Sequence, residues 1–139
     1  MNSILTPVLA LVCLTLIVWI WMYLTRIPAM QKARIAPQAA AHASALNVLP
    51  SSARQVADNY NHLMEQPTIF YALVFYIFLA QHGDKLNIEL AWAYVILRVV
   101  HTLIQCTINR VMWRFTVFSL STLALMAMAV REVIALCAT

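Results

Sequence analysis

The sequence predicts an all-α integral membrane protein, a four-helix up-down bundle. Three observations carry that expectation. Mean hydropathy is +0.79 and only 10% of residues are charged, where soluble domains carry about 25%. Four apolar runs reach membrane length, at which about 20 residues cross the hydrocarbon. Two of the three connections are short enough to demand antiparallel returns. A chain of 139 residues is one domain's worth, spanning 1–139. Its net charge of +4 is too small, and too mixed with apolar sequence, to point to nucleic acid.

The first span, 4–24, tolerates Pro7 in its opening turn. No basic stretch precedes it and its apolar run is long for a signal peptide, so it reads as an uncleaved anchor. Residues 25–53 form a long basic loop broken by Pro28, Pro37 and Pro50, in which "PQAAAHASALN" suggests a short interfacial helix. The second span, 62–80, holds Phe70, Tyr71, Phe75, Tyr76 and Phe78. The third, 88–107, follows the tight turn "QHGDKLN", and the fourth, 115–137, follows "INRVMWR". Cys13, Cys106 and Cys137 each lie in an apolar run without CxxC or Cys/His spacing. They are expected to be buried small apolar residues, and no metal site is expected. His42 and His82, in loops, are expected to face solvent.

Orientation follows from the basic residues beside the spans. Arg26, Lys32, Arg34, Arg54, Arg110 and Arg114 flank one side, and Lys85 and Arg131 the other. Six against two puts the long first loop in the cytoplasm and both termini across the membrane. A bacterial inner membrane is the expected setting. Trp19, Trp21, Tyr23 and Trp113 then lie at the cytoplasmic interface.

The third span is unusually polar for a helix in lipid. At about 100° per residue, Arg98, Thr102, Gln105 and Asn109 share an arc of about 60°, widened by Tyr94 and His101. An unpaired arginine at such depth costs about 2.5–3.5 kcal/mol on insertion scales. Arg54, Asp58, Asn61 and Glu65 repeat the i, i+4, i+7, i+11 spacing on the second helix. Asp58 is placed to pair with Arg54, and Glu65 is expected to form an ion pair with Arg98 across the two helices. The two faces together predict a wet pocket of positive character, suited to an anion bearing carboxylate or phosphate groups. The plainer reading of the same residues is interhelical hydrogen bonding and arginines snorkelling to head groups.

"LRVVHTLIQCTINRVMWRF" resembles the third-helix motif of the MAPEG family, the membrane-associated proteins in eicosanoid and glutathione metabolism. "NYNHLMEQPTIFYALVFY" resembles the second-helix motif, and the resemblance covers about residues 50–118. It implies a homotrimer packed chiefly through helix two, with glutathione bound between subunits near the cytoplasmic surface. It also implies roles: Glu65, Arg98 and His101 match the family's glutamate, arginine and histidine. Arg114 matches the arginine held to keep the glutathione sulfur as a thiolate, with Arg110 its basic neighbour. Three positions depart. Gln105 replaces a tyrosine that contacts the cofactor. Asn61 stands four residues before Glu65, where the family's asparagine stands three before. Asp58 replaces an arginine, with Arg54 a turn earlier.

The function expected is a glutathione-dependent transferase or peroxidase acting on lipophilic electrophiles that enter from membrane lipid past helices one and four. Arg114 is the catalytic residue; Arg54, Asn61, Glu65, Arg98, His101, Gln105 and Arg110 bind the cofactor. The alternative is a non-catalytic lipid- or anion-binding membrane protein of the same fold. A transporter would need a polar path, yet the outer halves of helices two and three offer only Tyr76, Gln81 and Tyr94.

Overall fold

A computed structural model describes residues 3–138; the ends of the expected 1–139 domain, residues 1, 2 and 139, lie outside the described residues. The helices are α1 (Leu5–Lys32), α2 (Ser51–Glu65), α3 (Pro67–Leu79), α4 (Lys85–Cys106) and α5 (Val111–Cys137). Gln66 keeps helical dihedrals between α2 and α3, so Ser51–Leu79 forms one run, and four helical runs are long and apolar enough to cross a membrane. Pro67 has no N–H to give the carbonyl one turn back, which breaks the hydrogen-bond ladder at that point.

Most runs extend past the apolar spans read from the sequence. α1 continues to Lys32 rather than stopping near 24, and α2 begins at Ser51 rather than near 62. Hydropathy marks only the part of a helix that lipid contacts; the backbone ladder continues wherever nothing interrupts it. α4 is the exception and stops at Cys106. Asn109 therefore leaves the helical stripe, takes φ 51, and donates its N–H to the Ile104 carbonyl at 2.7 Å. The alanine-rich piece is two 3-10 turns, Pro37–Ala41 and Ala43–Val48, rather than an α-helix. His42 is extended between them, and so short a segment does not sustain an α-helix alone.

With a single glycine in the chain, helix ends turn left-handed on other residues. Arg34 (φ 55) and Gln81 (φ 60) occupy the position glycine usually takes. The following residues bond back six to one, Ile35 to Met30 and His82 to Ile77, each at 3.0 Å. α4 starts on an aspartate cap, Asp84 Oδ1 accepting from the Asn87 N–H at 2.8 Å.

The outer helices bury only narrow stripes. α1 buries Leu11, Thr15, Val18 and Met22, and α5 buries Ser121, Leu125, Met128 and Glu132, both at i, i+4, i+7, i+11. Their remaining surface is exposed leucine, isoleucine, valine and phenylalanine, as lipid contact requires. Cys106 is buried, but Cys13 and Cys137 lie on that exposed surface, contrary to the expectation for all three. An apolar run identifies a membrane-facing position as readily as a packed one.

Two polar layers close the ends of the bundle. At the α3–α4 turn, Glu132 of α5 is 6% exposed and accepts from His82 Nδ1 at 2.7 Å and from Asn87 Nδ2 at 3.1 Å. Arg131 donates to Asn87 Oδ1 and Asp84 Oδ2. His82 is therefore bound rather than merely solvated, although 44% of its side chain remains exposed. The second layer, where α4 gives way to α5, holds the candidate site.

Candidate functional site

The polar face of α4 is packed against α2, but against a different stripe from the charged one. Gln55, Asn59, His62 and Gln66 also run at i, i+4, i+7, i+11, one residue and so about 100° round from Arg54, Asp58, Asn61 and Glu65. They pair in sequence with α4. Gln55 Nε2 donates to the Cys106 carbonyl at 3.2 Å, and Asn59 Nδ2 to Thr102 Oγ1 at 3.2 Å. His62 Nδ1 meets Gln105 Oε1 at 3.1 Å. Gln66 accepts from the Tyr94 hydroxyl and donates to Thr122 of α5 at 2.8 Å. Arg54, Asp58, Asn61 and Glu65 are all exposed, and the Arg54–Asp58 ion pair does not form. The inward stripe is neutral because amides and hydroxyls that satisfy one another cost less to bury than charges.

Arg98 accordingly does not form the expected ion pair with Glu65. It is 1% exposed, donates Nη2 to the His62 carbonyl at 3.2 Å, and lies 5.8 Å from the Phe118 ring centroid. Its Nε and Nη1 find no acceptor among the described residues. Glu65 faces outward from α2, one stripe away, while the arginine reaches inward to the backbone just before the Pro67 break.

Two adjoining cavities open beside this layer. The first, about 300 Å³, is largely apolar: Val111, Phe115 and Phe118 of α5 face His62, Glu65, Gln66, His101 and Arg114. The second, about 230 Å³, is polar, lined by Asp58, Asn61, His62, Glu65, Gln105 and Arg114. His62, Glu65 and Arg114 belong to both. Arg114, half-buried in the first turns of α5, donates Nη1 to Asn109 Oδ1 at 2.6 Å, and its Nε has no partner. The left-handed turn at Asn109 thus sets the direction of the arginine. His101 is 3% exposed, with Nδ1 also unpartnered.

Of the residues expected at the site, Asn61, Glu65, His101, Gln105 and Arg114 line these cavities, and Arg98 lies behind them. Arg54 and Arg110 are exposed and line neither. The apolar wall comes from the fourth membrane helix alone; α1 contributes nothing to it. Sequence reasoning misses Gln55, Asn59 and Gln66, although the spacing they share with His62 is visible. Among the described residues no group of three His, Cys, Asp or Glu is placed to hold a metal ion.

The sequence profile of the MAPEG family matches residues 4–134, nearly the whole chain. This chain belongs to the MAPEG family. No curated protein and no solved structure matches it. Membership makes the departures from the motif informative. The position three before Glu65, where the resemblance puts an asparagine, is His62, and the position of the tyrosine is Gln105. In this MAPEG chain those two residues are bonded to each other.

Proposed function

We propose that the protein is a glutathione-dependent transferase or peroxidase for lipophilic electrophiles. One observation carries the reading: Arg114, with His62 and Glu65, stands where a polar cavity and an apolar cavity meet. A polar thiol peptide and an apolar electrophile need such a junction, with a cation at the reacting sulfur. The donor set fits a peptide of this kind. His101 Nδ1 and Arg114 Nε, on residues that line the cavities, are buried without partners, as are Nε and Nη1 of Arg98 behind them, and buried polar atoms of this sort are normally satisfied. Glu65 suits an amino group and the arginines suit carboxylates.

The bound peptide supplies a thiol. A free thiol with pKa near 8.5 is only a few per cent ionised at neutral pH. Arg114 favours the ionised form, and a tenfold gain in the thiolate-to-thiol ratio corresponds to about 1.4 kcal/mol. Phe115, Phe118 and Val111 present the electrophile and exclude water. The exposed polar stripe of α2 is unfavourable against lipid and supports assembly as a homotrimer through that helix, with membrane lipid as the route of substrate entry. The basic flanks support a cytoplasmic first loop.

Calorimetric titration of glutathione into the detergent-solubilised protein tests this. Saturable heat is expected, retained in Arg114→Ala with turnover lowered. Absence of heat from the unaltered protein leaves the alternative, an anion- or lipid-binding protein without catalysis.

A further inference from the structure

Three side chains are common to both cavities. They are the guanidinium of Arg114, the carboxylate of Glu65 and the imidazole of His62, which alone of the three can accept a proton on one nitrogen while donating from the other. Its ring is also held in a defined state. Gln105 is 1% exposed, and its Oε1 lies 3.1 Å from His62 Nδ1. An amide oxygen only accepts, so Nδ1 carries the hydrogen and the lone pair of the neutral ring sits on Nε2. That nitrogen takes no hydrogen bond from any described residue. The arrangement has the logic of a base oriented by a third group, with a neutral amide as the orienting partner. The backbone of the same residue is anchored as well, because Arg98 donates to the His62 carbonyl.

We propose that His62 is the proton acceptor for the thiol bound beside Arg114, with Gln105 as its positioning residue. The inference rests on the glutathione reading above. Nε2 takes the proton as the S–H bond breaks, and the bonding pair stays on sulfur next to the Arg114 guanidinium. The sulfur pair then forms the bond to the electrophilic carbon while the carbon–oxygen bond of a substrate such as an epoxide breaks. The imidazolium returns the proton to the departing oxygen, so no outside acid or oxidant is required. The groups facing the ring are His101 and Gln105 from α4, Arg114 from α5, and Asp58 and Glu65 on its own helix. The His101 ring centroid is 6.1 Å away.

The test follows the proton on binding, independently of turnover. Glutathione is titrated into the full-length protein at neutral pH in two buffers of different ionisation enthalpy, while thiolate absorbance is read in the ultraviolet. The unaltered protein should show thiolate with almost no proton released to buffer, because His62 keeps it. His62→Gln should bind glutathione within a few-fold and either lose the thiolate signal or release about one proton per thiolate formed. With an epoxide substrate the same variant should lose about 100-fold in rate, the usual scale for a positioned base, and added imidazole should restore part of the rate to His62→Ala. Gln105→Leu should retain binding and lose part of the rate. Full proton release from the unaltered protein, or an unchanged thiolate and proton balance in His62→Gln, overturns the role of His62 alone. No glutathione binding to the unaltered protein overturns the function reading, and this role falls with it.

Discussion

Arg114 sits four residues into α5, where a positive side chain opposes the positive end of the helix dipole. Its Nη1 is held by Asn109 and its Nε is buried without a partner, a demand that an anion in the adjoining cavities would meet. With the thiol reading, the sign of the pH effect is fixed. Removing the guanidinium raises the thiol's pKa, so less thiolate exists at a given pH and the rate–pH curve moves to higher pH. Arg114→Ala should lower turnover at neutral pH by about 10- to 100-fold, as the curve moves by about one to two pH units. Glutathione affinity should change only modestly, because the carboxylates have other partners. Arg114→Lys should recover part of the rate, since charge remains while the planar fork does not. Steady-state rates across a pH range of about 6–10, bracketing the thiol's titration, read all three; an unchanged curve in Arg114→Ala makes this arginine a membrane-interface residue.

At the scale of the element, the ends of helices carry conformational cost that a single substitution can remove. Gln81 closes α3 at φ 60 with the six-to-one bond from His82 in place. A left-handed residue other than glycine costs about 1–2 kcal/mol, and glycine gives back about 0.5–1 kcal/mol of that in unfolded-state freedom. Gln81→Gly should therefore stabilise the protein by about 0.5–1 kcal/mol, while Gln81→Ala should not. Thermal unfolding in one detergent compares them. The end at Arg34 was not legible in the sequence, because arginine does not signal a helix stop as glycine does; the turn opening at Gln81 was, and only its left-handed residue was hidden. The four membrane helices were legible, since lipid demands long apolar runs with few exceptions. The α2 face was legible in period and wrong in phase. Two stripes with identical spacing lie side by side, and charge drew attention to the outward one. Spacing defines a face, but which face is buried depends on what its residues can satisfy among themselves. The outer layer was missed for a related reason: Asn87 and Glu132 lie 45 residues apart on α4 and α5, and only folding joins them and His82 in one cluster with Arg131.

Across the whole molecule, polar layers at the two ends are separated by an apolar middle. Phe70, Val74, Ile77, Ala91, Val95, Leu125 and Met128 are all buried between them, which gives a single subunit no continuous polar path. That middle favours a membrane-embedded site over a conduit. The remaining demand lies outside the subunit. The run Ser51–Leu79 has 29 residues, about 44 Å of helix against a hydrocarbon layer of about 30 Å. The excess is enough for about two turns at its Arg54 end to reach the head groups, which suit an arginine. Asn61 and Glu65 lie deeper and remain exposed, with Asp58 just above them. Polar groups against lipid favour contact with another protein surface, where hydrogen bonds between membrane helices are worth about 0.6 kcal/mol each and up to about 1.7. In the homotrimer proposed above, three copies of such a stripe would meet. Native mass spectrometry in mild detergent should give a trimer. Replacing the stripe by residues that lipid accepts, Asp58→Leu with Asn61→Leu, should remove the drive to associate and shift the distribution toward monomer. The pairings of Asn59 with Thr102 and of Gln55 with Cys106 face α4 instead, so each variant subunit should keep its fold and helix content by circular dichroism. A stable monomer from the unaltered protein would mean that the stripe is covered by something other than a second copy.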